Sequence, residues 1–275
     1  MLPADDYRNM WNYAACEKLL ANYPKTASAI SIGPAGEQML KGASVACTDR
    51  DKERRPARHA ARGGPGAVMG AKGLKWIVID PAKAKARQPA EPKVYTQLIK
   101  EYSKDYLSKR HDTFKAGTSA VVPVANMLNT FPYKNRTEGQ NPEVDGLDGA
   151  RIQETFEERG GGMHNCLTGC IVSCSNVVHD KEGNYKTSAL EFETLTLLGS
   201  CCDINNWEDV ADLDRLCDEL GLDTIETGAA LAVLMDSGGM EWGDAEGAKA
   251  LLKSIDQQTE GGQDVGNGAL HVGTK

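Results

Sequence analysis

Cys166, Cys170 and Cys174 stand four residues apart in the stretch GGGMHNCLTGCIVSCSNVVHD, and three thiols at that spacing limit what the segment can become. Thiolates hold iron–sulfur clusters, and a cubane takes four of them. On one continuous helix the three would instead form a drifting stripe of small buried side chains. Gly160, Gly161, Gly162 and Gly169 disfavour such a helix, because glycine is a poor helix former. Ser173, Ser175 and Asn176 bring donors that can hydrogen-bond cluster sulfurs. Zinc is the second metal option, although no His or CxxC pair stands beside the triplet at a finger-like spacing.

Eight cysteines in a chain without a secretory leader read as metal ligands, reactive thiols or buried small hydrophobes rather than disulfides. No apolar run reaches the length of a membrane span, so the expected compartment is the cytoplasm. With 275 residues, 40% of them hydrophobic and 25% charged, the chain is long enough to bury a real core. The net charge of −8 and scattered basic residues, apart from Arg50 to Arg62, exclude a general nucleic-acid surface. Small molecules and other proteins are the expected partners.

The pattern along the chain predicts an α+β fold. A helix is expected within residues 1 to 24, where Tyr7, Met10, Trp11, Ala14, Leu19 and Leu20 recur near helical spacing before Tyr23-Pro24. Strands are expected at SAISIG (28 to 33), ASVACT (43 to 48) and KWIVID (75 to 80). The Pro- and charge-rich stretch 81 to 93 reads as a connector, which divides the chain into 1–85 and a mainly helical 86–275. Beyond it, Val94, Leu98, Ile99, Tyr102, Tyr106 and Leu107 predict a helix running to about Lys115 with one buried face. Residues 131 to 148 read as loop, and HDKEGNY (179 to 185) as a hairpin tip. Helices are predicted for Leu190 to Cys202, Trp207 to Leu220, Thr224 to Met235 and Ala245 to Ile255, followed by a Gly-rich tail.

Three further segments carry possible chemistry. ARGGPGAVMGAKGLK (61 to 75) lets backbone N–H groups approach an anion, with Arg62 as a fork for phosphate, or it is a plain turn. DELGLD (Asp218 to Asp223) places two carboxylates at a helix junction, where they can accept from the N–H edge of a heterocycle; Gly221 as C-cap and Asp223 as N-cap is the structural alternative, and both can hold. LEFETLTLLGSCC (190 to 202) puts Glu191 and Glu193 at the head of an apolar helix, as surface residues or as a candidate acid or base.

Taken in this order, SIGPAGE, ARGGPGAVMGAKGLK, CLTGCIVSC, EFETLTLLGS and DELGLDTIETG resemble the aldehyde ferredoxin oxidoreductase family of tungsten or molybdenum bis-pterin (bis-molybdopterin) enzymes over residues 28 to 275. The resemblance implies that Arg62, Gly63 and Gly64 contact pterin phosphates and their bridging Mg2+. It implies that Cys166, Cys170 and Cys174 bind a 4Fe–4S cluster, that Asp218, Leu222 and Asp223 hold a pterin ring system, and that Glu193 is the active-site glutamate. The implied reaction oxidises an aldehyde to a carboxylic acid, with electrons leaving to ferredoxin or an iron–sulfur partner subunit; homo-oligomers are possible. Other low-potential chemistry, such as aromatic thioester reduction, and a non-enzymatic electron-transfer or scaffold role stay open.

The departures from the family pattern carry their own expectations. CxxxCxxxC replaces the family's CxxCxxxC, so the first cysteine is displaced. The second motif, DxxGLC, which brings the family's fourth cluster cysteine, is absent from the sequence, and Cys201, Cys202 and Cys217 are expected to be buried rather than to replace it. DLDR (Asp212 to Arg215) stands where some relatives carry ExxH for an interface metal. The simplest account is an internal portion of a chain roughly twice as long, comprising the end of a pterin-binding β domain and part of a helical domain, and inactive in isolation.

Overall fold

Four short strands, β1 (Ser28–Ser31), β2 (Val45–Cys47), β3 (Arg58–Ala60) and β4 (Trp76–Ile79), pair antiparallel in the order β3-β2-β1-β4. The structure, a computed structural model, describes residues 2–49, 53–81, 84, 85, 87–109 and 116–275. Ile30 of β1 lies opposite Cys47 of β2 and Ile77 of β4, and Ala46 of β2 lies opposite His59 of β3. Helix α1 (Asn12–Leu20) covers one face, closing a small core of Cys16, Leu19, Leu20, Ala27 and Ala29 against Trp76 and Val78. The helix expected from the start of the chain begins only at Asn12, because the backbone reverses through a left-handed Asn9 after a 3-10 turn at Asp5–Tyr7. The three expected strands are present. Strand β3 was not expected, since Arg-His-Ala shows no apolar alternation; its pairing with β2 holds it in place.

Close backbone contact joins this sheet to the helical part. Short helices α2 (Pro34–Glu37) and α3 (Pro65–Ala71) follow Gly33 and Gly64. A Cβ at Gly33 would stand 2.3 Å from the Leu220 carbonyl oxygen, and one at Gly66 2.3 Å from that of Ser44, so only glycine allows either approach. Residues 42–44 run alongside 221–223: the Ser44 N–H donates to the Gly221 carbonyl (2.8 Å) and the Asp223 N–H to that of Gly42 (3.0 Å). The DELGLD junction is thereby fixed against the segment that leads into β2.

Among the described residues the remaining α-helices are α4 (Pro92–Lys109), α5 (Val122–Met127), α6 (Gly149–Glu158), α7 (Phe192–Thr194), α8 (Trp207–Leu220), α9 (Thr224–Asp236), α10 (Ala245–Lys253), α11 (Glu260–Gly266) and α12 (Ala269–Thr274). The side chains of Asn206, Asp223 and Asp244 accept the first free N–H groups of α8, α9 and α10, which is the reason these helices start where they do. Leu213, Leu220, Leu231 and Leu252 are fully buried in a core that also takes in Ala35, Leu40 and Ala43 from the sheet side. Each such leucine contributes about 1.5–3 kcal/mol of burial. None of the described helices is long and apolar enough to cross a membrane.

Three expectations need correction. The helix predicted for Leu190 to Cys202 is α7 followed by a π turn at Leu195–Gly199 and a 3-10 turn at Ser200–Cys202. All five residues of the π turn are buried, and α9 presses Gly228 to within 2.4 Å (from its would-be Cβ) of the Leu197 backbone, so a regular α turn gives way. Helix α4 forms, but of its predicted apolar face only Tyr106 is buried; Leu98 and Tyr102 are 58% and 66% exposed. Its expected continuation to Lys115 lies outside the described residues. The Gly-rich tail folds into α11 and α12, its glycines permitting close packing on Leu40 and Ile255.

A second sheet, β5 (Gly162–His164), β6 (Ser175–His179) and β7 (Tyr185–Thr187), is also antiparallel, with His164 opposite Ser175. The expected hairpin tip joins β6 to β7, where Asp180 accepts the N–H groups of Glu182 and Asn184. The connection from β5 to β6, residues 165–174, carries all three spaced cysteines.

Candidate functional site

A cavity of about 570 Å³ opens between β3 of the first sheet, residues 188–194 and helices α8 and α9. Its wall is built from four pieces: β3 and the turn after it (Arg58, His59, Ala61, Arg62), residues 188–194 with Glu191 and Glu193, the C-terminal half of α8 (Asp214, Asp218), and the α8–α9 junction (Leu222 to Ile225). Arg62, Glu193, Asp218, Leu222 and Asp223, dispersed over more than half of the sequence, are thus brought to one surface.

Asp218 is the anchor of a buried polar network. Its Oδ2 accepts the Tyr13 hydroxyl (3.0 Å) and its Oδ1 meets His59 Nε2 (2.9 Å). With Nε2 donating to Asp218, His59 Nδ1 is left to accept the hydroxyl of Ser44 at 2.6 Å. Ser44 is completely buried, so this Ser–His–Asp chain orients the carboxylate and offers no nucleophile. Tyr13 and Tyr185 hydroxyls meet at 3.1 Å, and the guanidinium of Arg215 lies 3.6 Å from the Tyr13 ring centre, that of Arg55 3.9 Å from the Tyr185 ring. Burial pushes the Tyr185 hydroxyl up to about 12, so both rings stay neutral donors.

Asp223 caps α9 through Ile225 N–H (3.1 Å), and Gly221 ends α8 in the left-handed conformation at φ 74°. Both structural roles foreseen for DELGLD hold, while Asp218, Leu222 and Asp223 also line the cavity. Burial raises the Asp223 carboxyl, opposed by the N–H groups of Ile225 and Glu226 and by the charge of Arg62.

Arg62 reaches out from the rim, 69% exposed, with Glu193 Oε1 3.7 Å away. Gly63 and Gly64 follow at φ 90° and 68°, and nothing stands within 4 Å of a Cβ placed on Gly63. Both φ values lie in the left-handed region that favours glycine, and Gly63 faces open space beside Arg62. Glu191, not Glu193, is the more enclosed carboxyl: burial raises it, and the Thr118 hydroxyl and Arg58 oppose the shift.

The cysteine loop borders this wall without joining it. Cys166 is exposed, Cys170 and Cys174 are half-buried, and none is in a disulfide. The segment is not helical, which removes the stripe reading. Burial, then Glu191 and the neighbouring thiols Cys166 and Cys170, raise Cys174. Among the described residues no three His, Cys, Asp or Glu side chains are drawn together closely enough to hold a metal ion. The donor set nevertheless suits a thiolate-bound cluster: three free thiols share one loop, and the buried Ser175 hydroxyl beside Cys174 has no partner, as a donor aimed at a sulfur would. Ser173 and Asn176 are already engaged, with Asn165 and the Leu190 backbone. Cys201, Cys202 and Cys217 are fully buried in the core, and burial pushes all three thiols up, Cys201 to about 11.

Sequence reasoning missed Arg58, His59 and Asp214. Arg58 and His164 clamp the buried Asp49, at 2.9 Å and 3.0 Å, and so tie β3 to the start of the cysteine loop. Asp214 was findable, since it lies one helical turn before Asp218. In DLDR, Asp212 pairs with Lys186 and Lys249, and Arg215 with Glu219.

Fold and cavity together define an α+β protein with a polar cleft lined by Arg62, Glu193, Asp218, Leu222 and Asp223 and a thiol loop at its side. The chain belongs to the aldehyde ferredoxin oxidoreductase family: the family's N-terminal domain matches residues 1–81, and its domains 2 and 3 match residues 93–275. It is 29% identical over 263 residues to a tungsten-containing aldehyde ferredoxin oxidoreductase of Pyrococcus furiosus, covering 88% of this chain and 40% of the relative. It is 30% identical over 282 residues to the WOR-like subunit of an aliphatic sulfonate oxidoreductase of the same organism, covering 93% and 42%. The fold is shared, at a TM-score of 0.70 and 19% identity, with the active-site complex BamBC of benzoyl coenzyme A reductase bound to 1,5-dienoyl-CoA, over 98% of this chain and 43% of that one. The chain therefore spans about two fifths of the length of these relatives.

Proposed function

We propose that the protein serves an oxidoreductase that converts an aldehyde and water into a carboxylic acid, two protons and two electrons. The observation that carries this reading is the convergence of Arg62, Glu193, Asp218, Leu222 and Asp223 on one cavity. A tungsten or molybdenum bis-pterin centre, when bound, supplies the two-electron chemistry. Arg62 and the N–H groups of Gly63 and Gly64 would hold its phosphates and their Mg2+, and Asp218, Leu222 and Asp223 would hold the ring system. Glu193, 46% exposed at the cavity mouth, would hold or release a proton at Oε1. Cys166, Cys170 and Cys174 would hold a 4Fe–4S cluster from which electrons pass to ferredoxin or an iron–sulfur partner subunit.

The test is tungsten, molybdenum, iron and pterin analysis of the protein purified anaerobically from its native cells, followed by aldehyde-dependent viologen reduction. Turnover that needs both pterin metal and Glu193 supports the reading. The 30% identity to a subunit of an aliphatic sulfonate oxidoreductase puts sulfonates in the same substrate panel, with aromatic thioesters as the reductive case. Metal-loaded protein active only on those would overturn the aldehyde, and iron without tungsten, molybdenum or pterin would favour a scaffold or electron carrier.

A further inference from the structure

Carboxylates dominate the cavity wall, where Glu191, Glu193, Asp214, Asp218 and Asp223 face the guanidinium donors of Arg58 and Arg62. Arg58 donates to Asp49 through Nε while its buried Nη2 makes no hydrogen bond, and His59 is held by Asp218 and Ser44. The Ser188 hydroxyl is bonded to Tyr185, 3.1 Å away. A pyrimidinone-type ring presents N–H donors beside carbonyl and ring-nitrogen acceptors, so a wall of carboxylates serves only half of it.

Asp214 has the surroundings to serve the other half. It lines the cavity, is 3% exposed, and lies one turn from Asp218 on the same face of α8. Thr187 donates to its Oδ2 at 2.6 Å; among the described residues that is its only hydrogen bond, and no cation pairs with it. A charged carboxylate so enclosed, next to a second carboxylate, is strongly disfavoured. The charged groups facing it are Asp218 on its own helix, Arg58 on β3 and Glu191 before α7, with the Cys217 thiol adjoining. Burial first, and Asp218 second, push the Asp214 carboxyl well above its usual range; Thr187 and Arg58 oppose them.

We infer that Asp214 stands in the cavity wall as a neutral carboxylic acid whose hydroxyl donates to the acceptor edge, a ring carbonyl or ring nitrogen, of the heterocycle that the cavity holds. The ligand half of this statement rests on the pterin reading above. Asp218 and Asp214 then present an acceptor and a donor side by side, and the pair reads a ring edge that either residue alone would leave half satisfied.

Infrared spectra of the protein with 13C-labelled aspartate, at neutral pH and with free pterin added, test both halves, with binding followed separately by pterin fluorescence. The expected result is a carbonyl stretch of a protonated acid that is lost in Asp214→Asn and moves when pterin binds. Asp214→Asn, whose amide also donates, should bind pterin about as well as wild type, and Asp214→Val roughly tenfold less. Urea midpoints give an independent check. Protonated Asp214 stabilises the fold below the unfolded-chain value near ~3.9, and that contribution is lost as pH rises towards the folded-state value. Wild type should therefore lose stability relative to Asp214→Asn as pH climbs from 4 to 8. Pterin binding with no protonated band, or with a band that does not move, overturns the role of Asp214 alone. A band without any pterin binding overturns the pterin site and the ring edge assigned with it.

Discussion

The cavity wall and the cysteine loop lie side by side, yet only one of them is assembled. Asp218, Leu222 and Asp223 sit on or between packed helices, bonded to residues 42–44 and to His59 and Tyr13, so the fold fixes them whether or not anything is bound. Cys166, Cys170 and Cys174 sit on the β5–β6 connection, exposed or half-buried, and among the described residues no three metal-binding side chains are gathered there. Groups borne by rigid elements are placed by burial of the core. Metal ligands on a loop repel one another as thiolates and come together when the ion or cluster supplies the energy to order them.

Substitutions should separate the two regions. Leu220→Ala opens a hole beneath the junction in a fully buried position and should lower stability by about 2–5 kcal/mol in urea titration. Gly66→Ala forces a methyl group against the Ser44 carbonyl; about 3 kcal/mol and a distorted cavity are expected. Asp218→Ala removes the carboxylate that the Tyr13 hydroxyl and His59 Nε2 meet, leaving them only Tyr185 and the Pro56 carbonyl, which should cost about 1–3 kcal/mol and abolish any pterin fluorescence response. Asp223→Ala removes the α9 cap for about 1 kcal/mol. The triple change Cys166→Ser, Cys170→Ser, Cys174→Ser should move the urea midpoint of metal-free protein by no more than about 0.5 kcal/mol, while removing all bound iron. A large loss of stability in that triple variant would erase the contrast.

How much of this was legible in the sequence follows the same division. Helices α8, α9 and α10 announced themselves through their apolar pattern, and the α8–α9 junction through Gly221 and Asp223, because pattern and packing agree there. The same period in α4 gave the helix but not its burial: periodicity says that a face is apolar, not what covers it. The break at Leu195–Gly199 was invisible because it answers to Gly228, a residue on another helix. Within the site, Arg62, Glu193, Asp218 and Asp223 came from motifs. His59 and Asp214 depend on which elements meet in space, and no local signal marks that.

The central claim is that the loop is ordered by a cluster bound to its three thiols. Its most direct test is iron and acid-labile sulfide, with thiolate-to-iron absorption, measured after anaerobic reconstitution of wild type and the triple serine variant with a small thiol present as fourth ligand. The account predicts equal iron and sulfide in wild type and neither in the variant. Zinc without sulfide in wild type, or an iron–sulfur cluster retained by the variant, would contradict it.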